Sequence, residues 1–178
     1  YHGEKYPINW DRVILWDQHG GLKCDKGTYY DWSDKPKREP IQFVNHWDAT
    51  LSSERCAKIM SKRGLSMHFL IDNDGTIYQT LDIQHAAWQA GSKFWNTNSI
   101  GVEISNAFYM KYQDWYERKK FGPRPIMEGY ELNGRKIEKH LGFYDVQLKA
   151  LAALWAAIAD ATGINLEVCN VQGVCDDC

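Results

Sequence analysis

The 178-residue sequence has no apolar run near the roughly 20 residues that a membrane-spanning helix requires, so no stretch reads as one. An excess of one charge is also missing. Lys and Arg number 21 against 23 Asp and Glu, for a net charge of −2. Phosphate binding needs a basic surface, so nucleic acid is not expected as the main partner. Cysteine is sparse and odd in number: Cys24, Cys56, Cys169, Cys175 and Cys178. A full disulfide framework does not fit that size and count. Internal repeats and low-complexity linkers are absent too. No signal peptide is visible, and the chain opens at Tyr1, as a processed or trimmed product would.

What is present is ordinary in bulk. Hydrophobic residues make up 44% and charged residues 25%, and the length suits one domain with a sizeable core. Aromatics are the exception, with eight Trp and ten Tyr. Many belong to a core; exposed ones suit sugar rings or other flat, partly polar ligands. Three cysteines fall in the last ten residues as C-x5-C-x2-C. They read either as thiols of a loose tail or as metal ligands, and spacing alone does not choose.

Along the chain, residues 1–40 are rich in Gly, Pro, Asp and Tyr and read as an arm wrapped on the domain, with "RVILW" its only strand. Residues 41–178 form the domain, with a charged insertion over 107–142. "IQFVNHW" reads as a buried strand. "TLSSERCAKIMSKRG" reads as a helix capped by Ser52 or Ser53 and ended by Gly64, with Cys56, Ile59, Met60 and Arg63 on one face. Asp72-Asn73-Asp74-Gly75 joins two β-rich runs as a tight hairpin, and Asn133-Gly134 suggests a second. "NSIGVEIS" is another buried strand. Residues 145–162 form a helix capped by Asp145, with Leu148, Leu151, Leu154, Trp155 and Ile158 as its apolar face and Gly163 as its stop. Strand, helix, hairpin, strand, helix is the order of a single α/β domain.

Four polar residues stand on or beside these strands: His46 at the end of the first, His68 in the hairpin, His85 in "QHAAWQAG", and Glu103 inside "IGVEIS". Each has a plainer reading. His46 suits a hydrogen-bonded core histidine, His68 suits a solvent-facing position, His85 suits the start of a loop, and Glu103 suits a solvent-facing edge or an ion pair. "DNDG" is explained by the hairpin without calcium. Together, histidines plus a carboxylate inside an apolar strand fit a metal-assisted hydrolase. In such a site three protein ligands hold Zn2+, and a carboxylate takes the proton of the attacking water.

The same residues resemble a known family over about Phe43 to Gly163. "FVNHWDAT", "SMHFLIDNDGTIYQ", "HAAWQAG" and "NTNSIGVEISN" are similar, in order and spacing, to motifs of the zinc-dependent N-acetylmuramoyl-L-alanine amidases. That family includes the amidase-type phage lysozymes and the animal peptidoglycan recognition proteins. The resemblance implies an α/β fold with a central mixed sheet flanked by helices. It implies hydrolysis of the amide between N-acetylmuramic acid and L-alanine, with peptidoglycan or muropeptides as partner. The site of action would be the cell wall, in the periplasm or outside the cell, for an enzyme of phage or bacterial origin. By position, His46 would bind zinc, Glu103 would orient or deprotonate the water, His68 and His85 would line the cleft, and Trp88 would form its wall. Trp115, Tyr116 and Arg118 of the insertion would cover part of the cleft.

The match breaks at the end of the chain. The family takes two further zinc ligands from beyond the last helix, a histidine and then a cysteine or aspartate. Cys178 aligns with the terminal ligand, but no histidine follows His140; Val174 or Asn170 stands in its place. Met67 replaces a tyrosine of some phage members, and a lysine near the cysteine is not evident. The expectation is that the remaining ligands lie outside the given chain. The alternatives are ligation through Cys175 or Cys178, or a domain that binds peptidoglycan without cutting it or serves as a phage structural component.

Overall fold

The computed structural model describes residues 1–132 and 134–166. The arm supplies two short strands, β1 (Val13–Leu15) and β2 (Tyr29–Tyr30). Then come β3 (Gln42–Trp47), α1 (Ser53–Lys62), the hairpin strands β4 (Phe69–Ile71) and β5 (Ile77–Gln79), and β6 (Ala86–Ala87). Helix α2 (Lys93–Asn98) leads directly into β7 (Ser99–Ile104). The main sheet is mixed, in the order β1-β5-β4-β7-β3, and only the hairpin pair β4–β5 is antiparallel. The expected α/β fold with a central mixed sheet is present. "RVILW" of the arm is an edge strand of that sheet. β2 pairs with β6, which its two-residue length hid from pattern reading.

Alternation sorts the sheet's side chains onto two faces. Phe69, Ile71, Ile100, Val102 and Ile104 form the core with Leu151, Leu154 and Ile158 of α4 (Asp145–Thr162). Leu70 points to the other face and packs with Cys56 of α1 and with Met67. Ser52 caps α1 by accepting the Arg55 N–H. Ile59 is 38% exposed, so the buried side of α1 is narrower than its spacing suggests.

Two details of α4 differ from expectation. Tyr144 is its N-cap and Asp145 its first helical residue; the Gln147 side chain accepts the Tyr144 N–H. Leu148 is 47% exposed and stays out of the core, whose remaining positions are taken by Ala150, Ala157 and Ala161. In the hairpin loop Gly75 alone has positive φ, at 80°, which makes it a three-residue turn with glycine in the left-handed position.

The insertion contains α3 (Gln113–Arg118), β8 (Ile126–Met127), β9 (Glu131–Leu132), β10 (Arg135–Lys136) and β11 (His140–Leu141). β9 pairs antiparallel with β10 around the expected second hairpin, whose Asn133 lies outside the described residues. Among the described residues no helix is long and apolar enough to cross a membrane.

Candidate active site

His46 and Glu103 are brought together by register. β3 and β7 are parallel neighbours, and His46 lies opposite Glu103. Phe43 and Asn45 on β3 meet Trp155 of α4, so the alternate His46 faces the other side of the sheet. On β7 the core takes Ile100, Val102 and Ile104, which leaves Gly101 and Glu103 on the side of His46.

Glu103 is 9% exposed, and its Oε2 is buried with no hydrogen-bond partner among the described residues. Desolvation raises its pKa to about 8; the nearby Asp48 charge adds to the rise and Arg63 opposes it. Asp48 is itself half-buried, but it accepts hydrogen bonds from the Thr50 N–H and hydroxyl, the Ser105 hydroxyl and the Asn106 N–H. Burial pushes the Cys56 thiol up, with Asp48 and Glu103 adding to the shift, so it is an inert core residue.

His46 donates in a fixed way. Its Nε2 lies 2.9 Å from Gln89 Oε1, and Gln89 Nε2 donates to Ser99 Oγ at 2.8 Å. The Ser99 hydroxyl donates to the Trp95 carbonyl at 2.6 Å, so toward Gln89 it can only accept. The amide of Gln89 is therefore oriented with its oxygen toward His46, and Nε2 of His46 carries the proton. The free lone pair of the neutral ring is on Nδ1. Gly101 makes room for this arrangement, because a Cβ there would lie 1.8 Å from Gln89 Oε1. Asn96 of α2 holds the main chain of the loop by accepting the N–H groups of Gln89 and Ala90. In metal-free protein at pH 8, nitrogen-15 NMR should find His46 as the Nε2–H tautomer. Gln89→Met should give a mixture of tautomers, and Gln89→Glu, which keeps the acceptor, should not. An Nδ1–H tautomer in the wild type would show that the relay is wrong.

His68 is fully buried. Its Nδ1 accepts the Gly101 N–H and its Nε2 lies 3.1 Å from the His85 carbonyl, to which it donates. Desolvation, aided by the adjacent Arg38 charge, lowers its pKa to about 3. It is a neutral strut beneath the site, not a residue of the cleft surface. Arg38, 3% exposed, donates to the carbonyls of Ile83, Thr97 and Ser99 beside it. His85 Nδ1 accepts the Trp32 N–H at 3.1 Å and so fastens the arm to the site loop. Trp88 meets Tyr30 edge-on at 5.4 Å, and with Arg63, Leu65, Gln89 and Lys93 these two line a groove of about 500 Å³. The indole Nε1 of Trp88 is buried without a partner among the described residues.

The insertion does not cover the site with Tyr116. That ring is fully buried and its hydroxyl accepts the Ala107 N–H. Trp115 stacks on Phe121 in the same small core. The charged surface of the segment hid the fact that it has a core of its own.

Among the described residues no group of three or more His, Cys, Asp or Glu could hold a metal ion. Cys178, expected as a ligand, lies outside the described residues, as do Cys169, Asn170, Val174 and Cys175. What is described does suit a cation: His46 offers one lone pair at Nδ1, and a buried carboxylate beside it has no counter-charge bonded to it.

A family profile for N-acetylmuramoyl-L-alanine amidases matches residues 36–171. The chain belongs to the N-acetylmuramoyl-L-alanine amidase family. Its enzyme class is thereby that of an amide hydrolase, and the match includes β3, the hairpin, the site loop, β7 and α4. Solved amidase structures share the fold. The endolysin amidase LysCS of Clostridium intestinale has 17% identity and a TM-score of 0.50, over 89% of this chain and 80% of that one. Peptidoglycan Recognition Protein-1 of Manduca sexta has 13% identity and a TM-score of 0.52, over 88% and 75%. The E. coli amidase AmiD, solved with anhydro-N-acetylmuramic acid-L-Ala-D-gamma-Glu-L-Lys, has 19% identity and a TM-score of 0.49; the alignment covers 79% of this chain and 55% of AmiD. No curated protein matches the sequence. Asp48 and Gln89 are neighbours of His46 and Glu103 that sequence reasoning passed over. Asp48 was legible only as the residue after "NHW", and Gln89 only as the residue after "HAAW".

Proposed function

We propose that the chain hydrolyses the amide between N-acetylmuramic acid and L-alanine in peptidoglycan, as a zinc-dependent enzyme acting at the cell wall. The observation that carries this reading is the unpartnered buried carboxylate of Glu103 beside His46. Zinc, when bound, would polarise the carbonyl and acidify a water. His46 would hold it through Nδ1, and Cys178 is the further ligand proposed. Glu103 takes a proton from the attacking water. The water oxygen bonds to the amide carbon, the C–N bond breaks, and Glu103 returns the proton to the leaving amine. A carboxyl group that titrates near the working pH suits both transfers. Gln89 holds the His46 ring, and the groove beside Trp88 takes part of the substrate.

The test is incubation of the full chain with purified peptidoglycan and zinc, read by mass spectrometry. Free peptides that begin with L-alanine are expected, with about one zinc per chain by elemental analysis and less in His46→Ala. Saturable binding to cell walls with no such peptides would make the domain a binding module, the reading that the lack of a histidine after His140 supports.

A further inference from the structure

The arm is fastened to the site loop at one nitrogen that faces two neighbours with opposite needs. His85 Nδ1 accepts the Trp32 N–H at 3.1 Å, and Asp31 Oδ1 lies 3.3 Å from the same atom. An N–H needs the lone pair of a neutral ring, and a carboxylate needs the proton of a charged one. The neutral ring sets its Nδ1 lone pair against the Asp31 oxygen. The protonated ring would set Nδ1–H against the Trp32 N–H. Neither charge state satisfies both neighbours.

The group that protonation displaces has a second acceptor beside it. Gln84, 7% exposed, donates through Nε2 to the Trp32 carbonyl at 3.4 Å, and its Oε1 is buried with no partner among the described residues. A buried amide oxygen without a donor is uncommon. This one belongs to the same side-chain amide that already reaches Trp32. A turn of the Trp32 peptide unit exchanges His85 for Gln84 as acceptor.

The groups packed around the ring leave this proton to His85. The Ser33 hydroxyl and N–H hold the Asp31 carboxyl below the usual range, so it stays a carboxylate. Burial pushes up the Tyr29 phenol, whose ring lies 5.1 Å from that of His85. His68, which donates to the His85 carbonyl, is neutral. Burial lowers the adjacent Arg38 to about 10, so it stays charged. Lys35 lies over the Trp32 ring at 4.1 Å, and the Asp82 carbonyl accepts the His85 N–H.

Tyr30 pairs with Ala86 in the β2–β6 ladder, so Trp32 and His85 stand at the end of that ladder. Tyr30 also meets Trp88 edge-on and lines the groove that contains Arg63 and Gln89. Gln89 bonds to His46, and the Arg63 charge acts on Glu103, so this groove borders the candidate active site.

We propose that His85 is a pH-operated latch that sets the Tyr30 wall of this groove. With the ring neutral, the Trp32 N–H bonds to Nδ1 and Tyr30 is held against Trp88. When the ring takes up a proton, Nδ1–H bonds to Asp31, the Trp32 N–H passes to Gln84 Oε1, and Tyr30 loses its hold. Asp31 is 69% exposed, so the new ion pair is the weaker fastening. Imidazole is the side chain that switches charge between pH 5 and 8. Weaker substrate binding in the protonated state rests on the amidase reading of the site; the latch itself does not.

The test is a titration of the full chain from pH 8.5 to pH 5 in chelator, followed by nitrogen-15 NMR. The Trp32 amide signal should move in step with the ring nitrogens of His85. In His85→Asn, whose Oδ1 replaces Nδ1 as acceptor and takes up no proton, that amide should keep its pH 8.5 position. In Gln84→Met at pH 5 it should exchange with solvent about tenfold faster than in the wild type, the scale of one lost hydrogen bond. A Trp32 amide that ignores the His85 titration, or moves as far in His85→Asn as in the wild type, overturns the latch. With soluble muropeptide, KM should rise about fivefold more between pH 8 and pH 5.5 in the wild type than in His85→Asn. An equal rise in both overturns the control of the groove. A switching Trp32 amide in a wild type that releases no peptide keeps the latch and removes the amidase reading.

Discussion

Glu103→Gln is expected to lose about 10²–10⁴-fold in peptidoglycan hydrolysis, the usual contribution of a general base, while keeping the fold. The same variant should change how stability depends on pH. Burial moves the Glu103 pKa from the ordinary 4.5 to about 8. Above pH 4.5 the unfolded chain gives up this proton while the folded protein keeps it. Stability therefore falls as pH rises from about 4.5 to about 8, and levels off once the folded form has also ionised. At about 1.4 kcal/mol per pH unit the loss is on the order of 5 kcal/mol. Glutamine has no such titration. In chelator, the Tm advantage of Glu103→Gln over the wild type should grow by roughly 10 °C between pH 5 and pH 8.5. Hydrolysis near the wild-type rate would remove Glu103 as the base. A Tm difference that stays flat across that range would show that its carboxyl group titrates normally.

Arg124→Met should destabilise the protein by about 3–5 kcal/mol in chemical denaturation, although it lies away from the chemistry. Arg124 is 2% exposed and pairs with no acid among the described residues. Its guanidinium donates instead to the Gly142 and Ser105 carbonyls and to the side chains of Asn73 and Gln147. It lies between the rings of Tyr116 and Tyr144, at 4.3 and 4.4 Å. Methionine fills the space but leaves buried acceptors without donors. Ser105 follows β7 and bonds to Asp48, so Arg124 also ties the insertion to the end of the site strand. Hydrogen exchange over residues 107–142 should speed up in the variant. Arg118→Met, at an exposed position of the same segment, should change stability by less than about 0.5 kcal/mol. Equal effects from the two substitutions would refute the anchoring role.

Much of this was legible in the sequence. The run around Val102 is apolar and β-branched enough to be a buried strand, and it is one; the run around Val44 also forms a strand, but at the edge of the sheet and only half-buried, against expectation. The spacing in α1 and α4 and the Asp-Gly turn are local signals, each set by residues a few positions apart. The motifs around His46, His68, His85 and Glu103 identified the family, because order and spacing along the chain survive without any knowledge of contacts. Histidine 68 was misjudged for a physical reason. Alternation put it opposite Met67 and Phe69, but both sides of β4 are covered, so the polar face is as dry as the apolar one.

By itself, then, the sequence determined the α/β class, the main helices and hairpin, and the placement of a histidine and a carboxylate on two strands. Those are consequences of short-range pattern. Only the tertiary structure decided that His46 and Glu103 share one register and one face, and that Gln89 fixes the His46 tautomer across a glycine. It alone showed that Arg38 and Arg124 are buried among carbonyls, and that the insertion has a core of its own. These depend on contacts between residues far apart in the chain. A buried arginine or a bonded glutamine looks in sequence like any solvated one until the acceptors that satisfy it are folded into place.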